Sequence, residues 1–184
     1  MTGSRSKPEL AALQPFDAGF RGTWGWRQPT WYRSHWELRA GEALVGTLDG
    51  SGLLGTRVVF RTRDATWWLR SSWLLQVSAF AEGGSEPVAR FRSGWFGNGR
   101  ITLADETTLL WKAENAWLHR FGVQTTDGLP LLHFRTRRRF LRYECDVQFE
   151  DAARRAASLP LLLGLGWLLL LHTLRNSHVA HGGA

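Results

Sequence analysis

From Leu141 to Glu150 apolar and polar residues alternate without a break: Leu141, Tyr143, Cys145, Val147 and Phe149 share one parity, and Arg142, Glu144, Asp146, Gln148 and Glu150 the other. A period of two predicts a strand with one dry face and one wet face. Shorter copies of the pattern set Val58 and Phe60 against Arg57 and Arg61, Ala89 and Phe91 against Arg90 and Arg92, and Ile101 and Leu103 against Arg100 and Thr102. Between the runs stand Ala40-Gly41-Glu42, Asp49-Gly50-Ser51-Gly52, Glu82-Gly83-Gly84-Ser85, Gly97-Asn98-Gly99, Asp105-Glu106 and Asp127-Gly128, the residue types that tight turns require. Counting runs between turns predicts about twelve strands, at 19–26, 31–39, 42–48, 53–62, 65–71, 73–80, 87–93, 98–104, 107–112, 116–123, 130–136 and 141–149. Consecutive strands with one apolar face need that face covered, and closing the sheet into a barrel also removes its edges. No repeat of fixed period is visible, which sets aside a propeller or a solenoid.

After Phe149 the period changes. Asp151 to Ala157 is polar and helix-prone, Ser158 suits an N-cap, Pro160 is tolerated in a first turn, and Leu159 to Leu174 holds ten leucines and Trp167. No polar face exists between Leu159 and Leu171, so this helix lies inside protein or inside lipid. Ten leucines at about 2 kcal/mol each are worth about 20 kcal/mol of transfer free energy, too much to leave in water. Leu159 to Leu171 is 13 residues long; a helix of that length reaches roughly 20 Å, whereas a bilayer span takes about 20 apolar residues. A twelve-strand barrel is wide enough that side chains alone fill it poorly, and an apolar helix would plug it. The expected fold is therefore mainly β: a closed antiparallel barrel of about twelve strands around a C-terminal hydrophobic α-helix. Its expected organisation is a flexible leader over 1–18, one barrel domain over 19–175 with the central helix at 159–174, and a flexible tail over 176–184. Leu161, Leu162, Leu165, Trp167, Leu168 and Leu169 are the residues expected to fill the barrel. The alternative is a tail anchor in a membrane, with the arginines that flank the helix snorkelling to the interface.

The 184 residues suit one domain with a real core. A single cysteine excludes an internal disulfide and a Cys-rich zinc module, and no secretory signal pattern stands at the N-terminus, so a cytoplasmic protein is expected. Net charge is +7, and 21 of the 23 basic residues are arginine, which attracts anionic partners without choosing among them. Eleven tryptophans suit a wide core, a ligand groove or a membrane interface.

The densest basic cluster is Arg135, Arg137, Arg138, Arg139 and Arg142, at the junction of the last two predicted strands, with Arg120 a possible neighbour. Five arginines in eight positions offer several planar forks to phosphate oxygens; the bland reading is a solvated turn. Nucleic acid is the less favoured polyanion, because it would need Trp67, Trp68 and Trp95 pointing outward as stacking platforms. Arg21-Gly22-Thr23-Trp24 is similar to the Gly-x-Trp that opens lipocalin-like barrels, which keeps a ligand carrier as a further alternative. His35, His119 and His133 with Glu114 and Asp127 form no spacing that demands catalysis, and Cys145 falls on an inward face with no basic partner. Nothing in the sequence asks for a cofactor or a metal, no protein partner is legible, and a monomer is expected.

A run of about twelve short strands followed by a leucine-rich helix that opens Leu159-Pro160-Leu161-Leu162-Leu163, with Asp127-Gly128 before Leu131 to Phe134, resembles the tubby C-terminal-like superfamily. This superfamily includes tubby domains, phospholipid scramblases and LURP-one-related proteins. The resemblance covers Phe20 to Leu174 and contains no catalytic signature. It implies a helix threaded through a closed twelve-strand barrel and a non-enzymatic role at membranes, since tubby domains bind phosphoinositides through basic surface residues. The scramblase features are missing: Asp146, Glu150 and Asp151 are too few for a calcium segment, and no cysteine-rich palmitoylation segment exists. The function expected from charge and resemblance is peripheral binding of anionic phospholipid headgroups at the inner face of a membrane.

Overall fold

The computed structural model describes residues 12–30, 32–50, 57–72, 76–115, 120–139 and 142–181, with the backbone alone at 96, 138, 139, 142 and 176–181. Each alternating run becomes a strand: β1 (Trp24–Arg27), β2 (His35–Ala40), β3 (Ala43–Gly50), β4 (Arg57–Thr62), β5 (Thr66–Ser71) and β6 (Gln76–Ala81). The second half follows with β7 (Pro87–Ser93), β8 (Gly99–Leu103), β9 (Thr108–Ala113), β10 (Arg120–Thr125), β11 (Pro130–Arg139) and β12 (Arg142–Phe149). Every strand pairs antiparallel with its sequence neighbours, and β1 closes the ring by pairing with both β2 and β12, Trp24 lying between Ala40 and Val147. Two short helical pieces interrupt the pattern, the 3-10 turn η1 (Trp95–Gly97) and α1 (Asp151–Arg154).

The inward parity of the strands forms the wall of one core. Trp26, Leu38, Phe60, Leu69, Ile101, Phe121 and Phe134 are all fully buried. The last helix, α2 (Leu159–His181), runs along the barrel axis and fills the space they surround. Every residue from Leu161 to Leu171 is buried. Contacts reach it from opposite sides of the ring: Trp167 stacks on Trp26 of β1 at 5.9 Å, and Gly166 and Gly164 turn toward the rings of Phe134 on β11 and Phe60 on β4. The carbonyl of Ser158 accepts the N–H of Leu162 at 2.9 Å, so the helix opens where the cap was expected, with Pro160 in the turn that needs no N–H.

The predicted plug is thus a structural fact, and both alternatives for the helix are corrected. A tail anchor needs the apolar surface free for lipid, but strands already cover it on all sides, and among the described residues no helix is long and apolar enough to cross a membrane. A ligand-carrying barrel needs an empty interior. Here α2 occupies it, every residue from Leu161 to Leu171 being buried, and a gap beside Leu169, Trp111 and Phe91 measures only about 30 Å³, far below the several hundred Å³ of small-molecule sites.

Boundaries differ where local contacts compete with the ladder. β1 begins at Trp24 rather than residue 19, because the chain before it packs across the end of the barrel: Leu13 is buried, Phe16 lies 5.1 Å from Trp24, and Arg154 donates to the carbonyls of Ala18 and Phe20. The leader expected over 1–18 therefore stops short of these packed residues; 1–11 lie outside the described residues. The helix backbone continues past the expected end at 174 to His181, and 182–184 lie outside the description.

Because the strands alternate in direction, the connections sort into two mouths. At the N-mouth, where α2 begins, lie the β2–β3, β4–β5, β6–β7, β8–β9 and β10–β11 turns; at the C-mouth, where α2 leaves, lie the opposite ends of the strands.

Candidate functional site

Strand geometry redistributes the predicted arginine cluster. β11 extends past the expected end at 136 to Arg139, so Arg137 joins Arg135 on the strand, both exposed on the outer face, while Phe134 and Thr136 are buried. Register sets Arg138 opposite Tyr143 and Arg139 opposite Arg142; the side chains of Arg138, Arg139 and Arg142 lie outside the described residues. Arg137 Nη2 is 2.6 Å from Asp146 Oδ2, so part of its charge is already answered. Arg135 stands between Arg120 across the β10–β11 ladder and that same Asp146 across the β11–β12 ladder. Like charges in that position repel, and among the described residues neither guanidinium has an ion-pair partner.

The neighbours complete an open groove of about 390 Å³ lined by Glu114, Arg120, His133, Arg135, Arg137, Asp146, Gln148 and Glu150. His133 Nδ1 lies 2.5 Å from Glu114 Oε1, and its Nε2 is 3.8 Å from Glu150. Three guanidiniums thus share the groove with three carboxylates. Arg120 and Arg135 are the pair available to a phosphate, whereas Arg137 must first leave Asp146. Among the described residues that line the groove there is no serine, threonine or cysteine beside His133. Cys145 points to the opposite, inner face of β12 and is buried; that burial, and then the charge of Asp146, push its thiol far above the ordinary range. The other strand histidine, His35, lies 2.6 Å from Asp49, which also accepts from Arg61 at 2.9 Å.

The predicted core residues Leu161, Leu162, Leu165, Trp167, Leu168 and Leu169 are all buried inside the barrel and have no access to a ligand. Of the tryptophans weighed as stacking platforms, Trp67 stacks on Phe60 at 5.4 Å, while Trp68 and Trp95 are 40% and 86% exposed.

Sequence reasoning missed a second basic feature. Arg27, Arg57, Arg92, Arg100, Lys112 and Arg120 occupy strand ends around the C-mouth, all exposed, and none forms an ion pair among the described residues. Arg92 and Arg100 face each other across β7 and β8. The N-mouth is richer in acids: each of its five turns carries an exposed one, namely Glu42, Asp64, Glu82 with Glu86, Asp105 with Glu106, and Asp127, beside the exposed Arg63. The signal that would have revealed this is the composition of alternate connections, taken as two sets. Compared with models of protein families, with curated proteins and with solved structures, the chain matches none.

Proposed function

We propose that the protein is a non-enzymatic barrel of the tubby-like type that binds anionic phospholipid headgroups reversibly at the cytoplasmic face of a membrane. The observation that carries this reading is Arg135 set against Arg120 across the ladder, neither with an ion-pair partner among the described residues, beside a belt of further exposed arginines and Lys112. A cross-strand pair of like charges costs stability, and a phosphate bridging the two forks removes that cost. The closed barrel threaded by its own C-terminal helix supports the tubby-like assignment, and the filled interior leaves the outer surface as the place for a ligand. In the β11–β12 register Arg139 and Arg142 hold the parity of Arg135 and Arg137, and Arg138 holds the other.

Sedimentation with vesicles tests the reading. The full chain co-sediments with vesicles of phosphatidylserine and phosphatidylcholine, and not with phosphatidylcholine alone, at low ionic strength; binding weakens as salt rises. Each arginine near an anionic surface contributes about 1 kcal/mol, so changing Arg135, Arg137, Arg138, Arg139 and Arg142 together to Gln lowers binding by at least about tenfold, even with Arg137 partly neutralised. Equal binding of the two proteins overturns the assignment of this cluster. Tighter binding to single-stranded nucleic acid than to anionic vesicles overturns the phospholipid reading itself.

A further inference from the structure

We propose that the barrel docks on the membrane end-on, with its C-mouth toward the bilayer, Trp95 and Tyr32 entering the boundary between headgroups and acyl chains, and the strand-end arginines lying at headgroup level. This inference rests on the phospholipid reading above and adds to it an orientation and a depth.

Trp95 is 86% exposed, yet it is not on a slack loop. It opens η1, whose turn is tied by Gly94 N–H to Asn98 O at 2.7 Å and by Asn98 N–H to Trp95 O at 3.1 Å. Asn98 Oδ1 in turn accepts the backbone N–H of Ala113 at 2.8 Å, fastening the turn to β9. The fold therefore holds a large apolar ring out in water, and moving it out of solvent is favourable. Tyr32, at the same mouth in the β1–β2 connection, is 62% exposed, with the Arg33 guanidinium 5.8 Å from its ring centre. Tryptophan and tyrosine are the side chains that favour the membrane–water boundary.

Charge lies where that depth requires it. Arg92 and Arg100 are a few residues behind Trp95 along β7 and β8, which at about 3.3 Å per residue places them roughly 10 Å from the tip, the offset between an inserted aromatic ring and the phosphates. Arg27, Arg57 and Lys112 hold corresponding positions on other strands. The acids Glu82, Asp105 and Asp127 stand at the opposite mouth. An anionic surface therefore favours the C-mouth over the N-mouth, whose turns carry more exposed acids than bases, and this turns the molecule before contact. Among the described residues the C-mouth presents Trp95 and Tyr32, whereas the five N-mouth turns contain only Leu129 as a large apolar residue. A nucleic acid would use the same arginines and stack on the exposed Trp68 and Trp95, so a single-stranded oligonucleotide is the competing arm of the test.

Depth measurement on the full chain tests the orientation. Nitroxides are placed one at a time at Tyr32→Cys and Asp127→Cys, with vesicles of phosphatidylserine and phosphatidylcholine; both sites are exposed, and the native Cys145 is buried. The label at 32 gains collisions with oxygen and loses those with a water-soluble relaxant when vesicles are added, while the label at 127 stays in water. In parallel, Trp95→Ala lowers the partition coefficient by about tenfold and each of Arg92→Gln and Arg100→Gln by about fivefold, whereas Glu82→Gln with Asp105→Asn changes it less than about twofold. A protein that sediments with vesicles while both labels stay in water, or while the label at 127 is the one shielded, overturns the end-on orientation and leaves phospholipid binding standing. Unchanged partition of the Trp95 variant also overturns it. No sedimentation with anionic vesicles, or tighter binding to a single-stranded oligonucleotide, overturns both readings.

Discussion

Cys145 and His172 show how burial sets the chemistry of single residues in this barrel. Cys145 lies against the core with its Sγ 3.3 Å from the carbonyl oxygen of Asp146, and the thiolate it would need for reaction is opposed by burial and by a neighbouring carboxylate. The folded protein is therefore expected to resist a thiol reagent such as dithiobis-nitrobenzoate, with one equivalent of colour released only in denaturant; rapid labelling of the native state would contradict the inward assignment. His172, near the C-mouth, has its Nε2 within 3.1 Å of Ser71 Oγ. Burial, followed by the charge of Arg175, holds its imidazole below the ordinary value of 6.5. The unfolded chain then takes up the proton first, so this histidine's contribution is complete above pH 6.5 and is lost as the pH falls through the lower folded value. Thermal melts of the wild type should lose stability on acidification below that point, and His172→Gln should show a shallower dependence over the same window. An identical slope in both proteins would assign the acid sensitivity elsewhere.

Helix α2 behaves unlike an isolated helix because its environment is a closed wall. Glycine inside a helix costs about 1 kcal/mol against alanine, so Gly164→Ala and Gly166→Ala would each stabilise α2 on propensity alone. In the barrel the outcome reverses at residue 164. A Cβ there would lie 2.3 Å from Phe60 Cδ1 and 2.6 Å from Cγ, close to the fixed root of the ring, while at Gly166 it would meet the far edge of Phe134, Cζ at 2.4 Å. Overpacking of this kind costs about 1–3 kcal/mol. Denaturant titration should find Gly164→Ala destabilised by about 1–2 kcal/mol and more so than Gly166→Ala, and stabilisation of either would mean that the helix has room to shift. The strands were the more legible elements: strict alternation in β12 marks its two faces, whereas β3 buries four successive residues, Val45 to Leu48, because Gly46 and Thr47 are covered by neighbouring strands. A glycine next to the Phe60 ring carries no periodic signal of its own.

For the whole molecule, barrel and helix are one cooperative unit, since neither apolar surface is covered without the other. A chain ending at Ser158 should fail to show a cooperative thermal transition or dispersed amide resonances, and a truncated protein that remains monomeric and folded would refute this interdependence. The sequence by itself determined the number of strands, the inward parity of most of them and the need to bury Leu159–Leu171, because periodicity and hydrophobicity are properties of neighbours along the chain. Tertiary structure decided the rest. Arg120 and Arg135 are fifteen positions apart and become cross-strand partners only through the register of β10 and β11, and Arg137 loses part of its charge to an aspartate on the next strand. Exposed charge divides between the two mouths because antiparallel order sends alternate connections to the same end, gathering residues that lie tens of positions apart in sequence. A cluster of five arginines is conspicuous as text, but the collar around the C-mouth is spread over the whole chain, and only closure of the ring brings it to one surface.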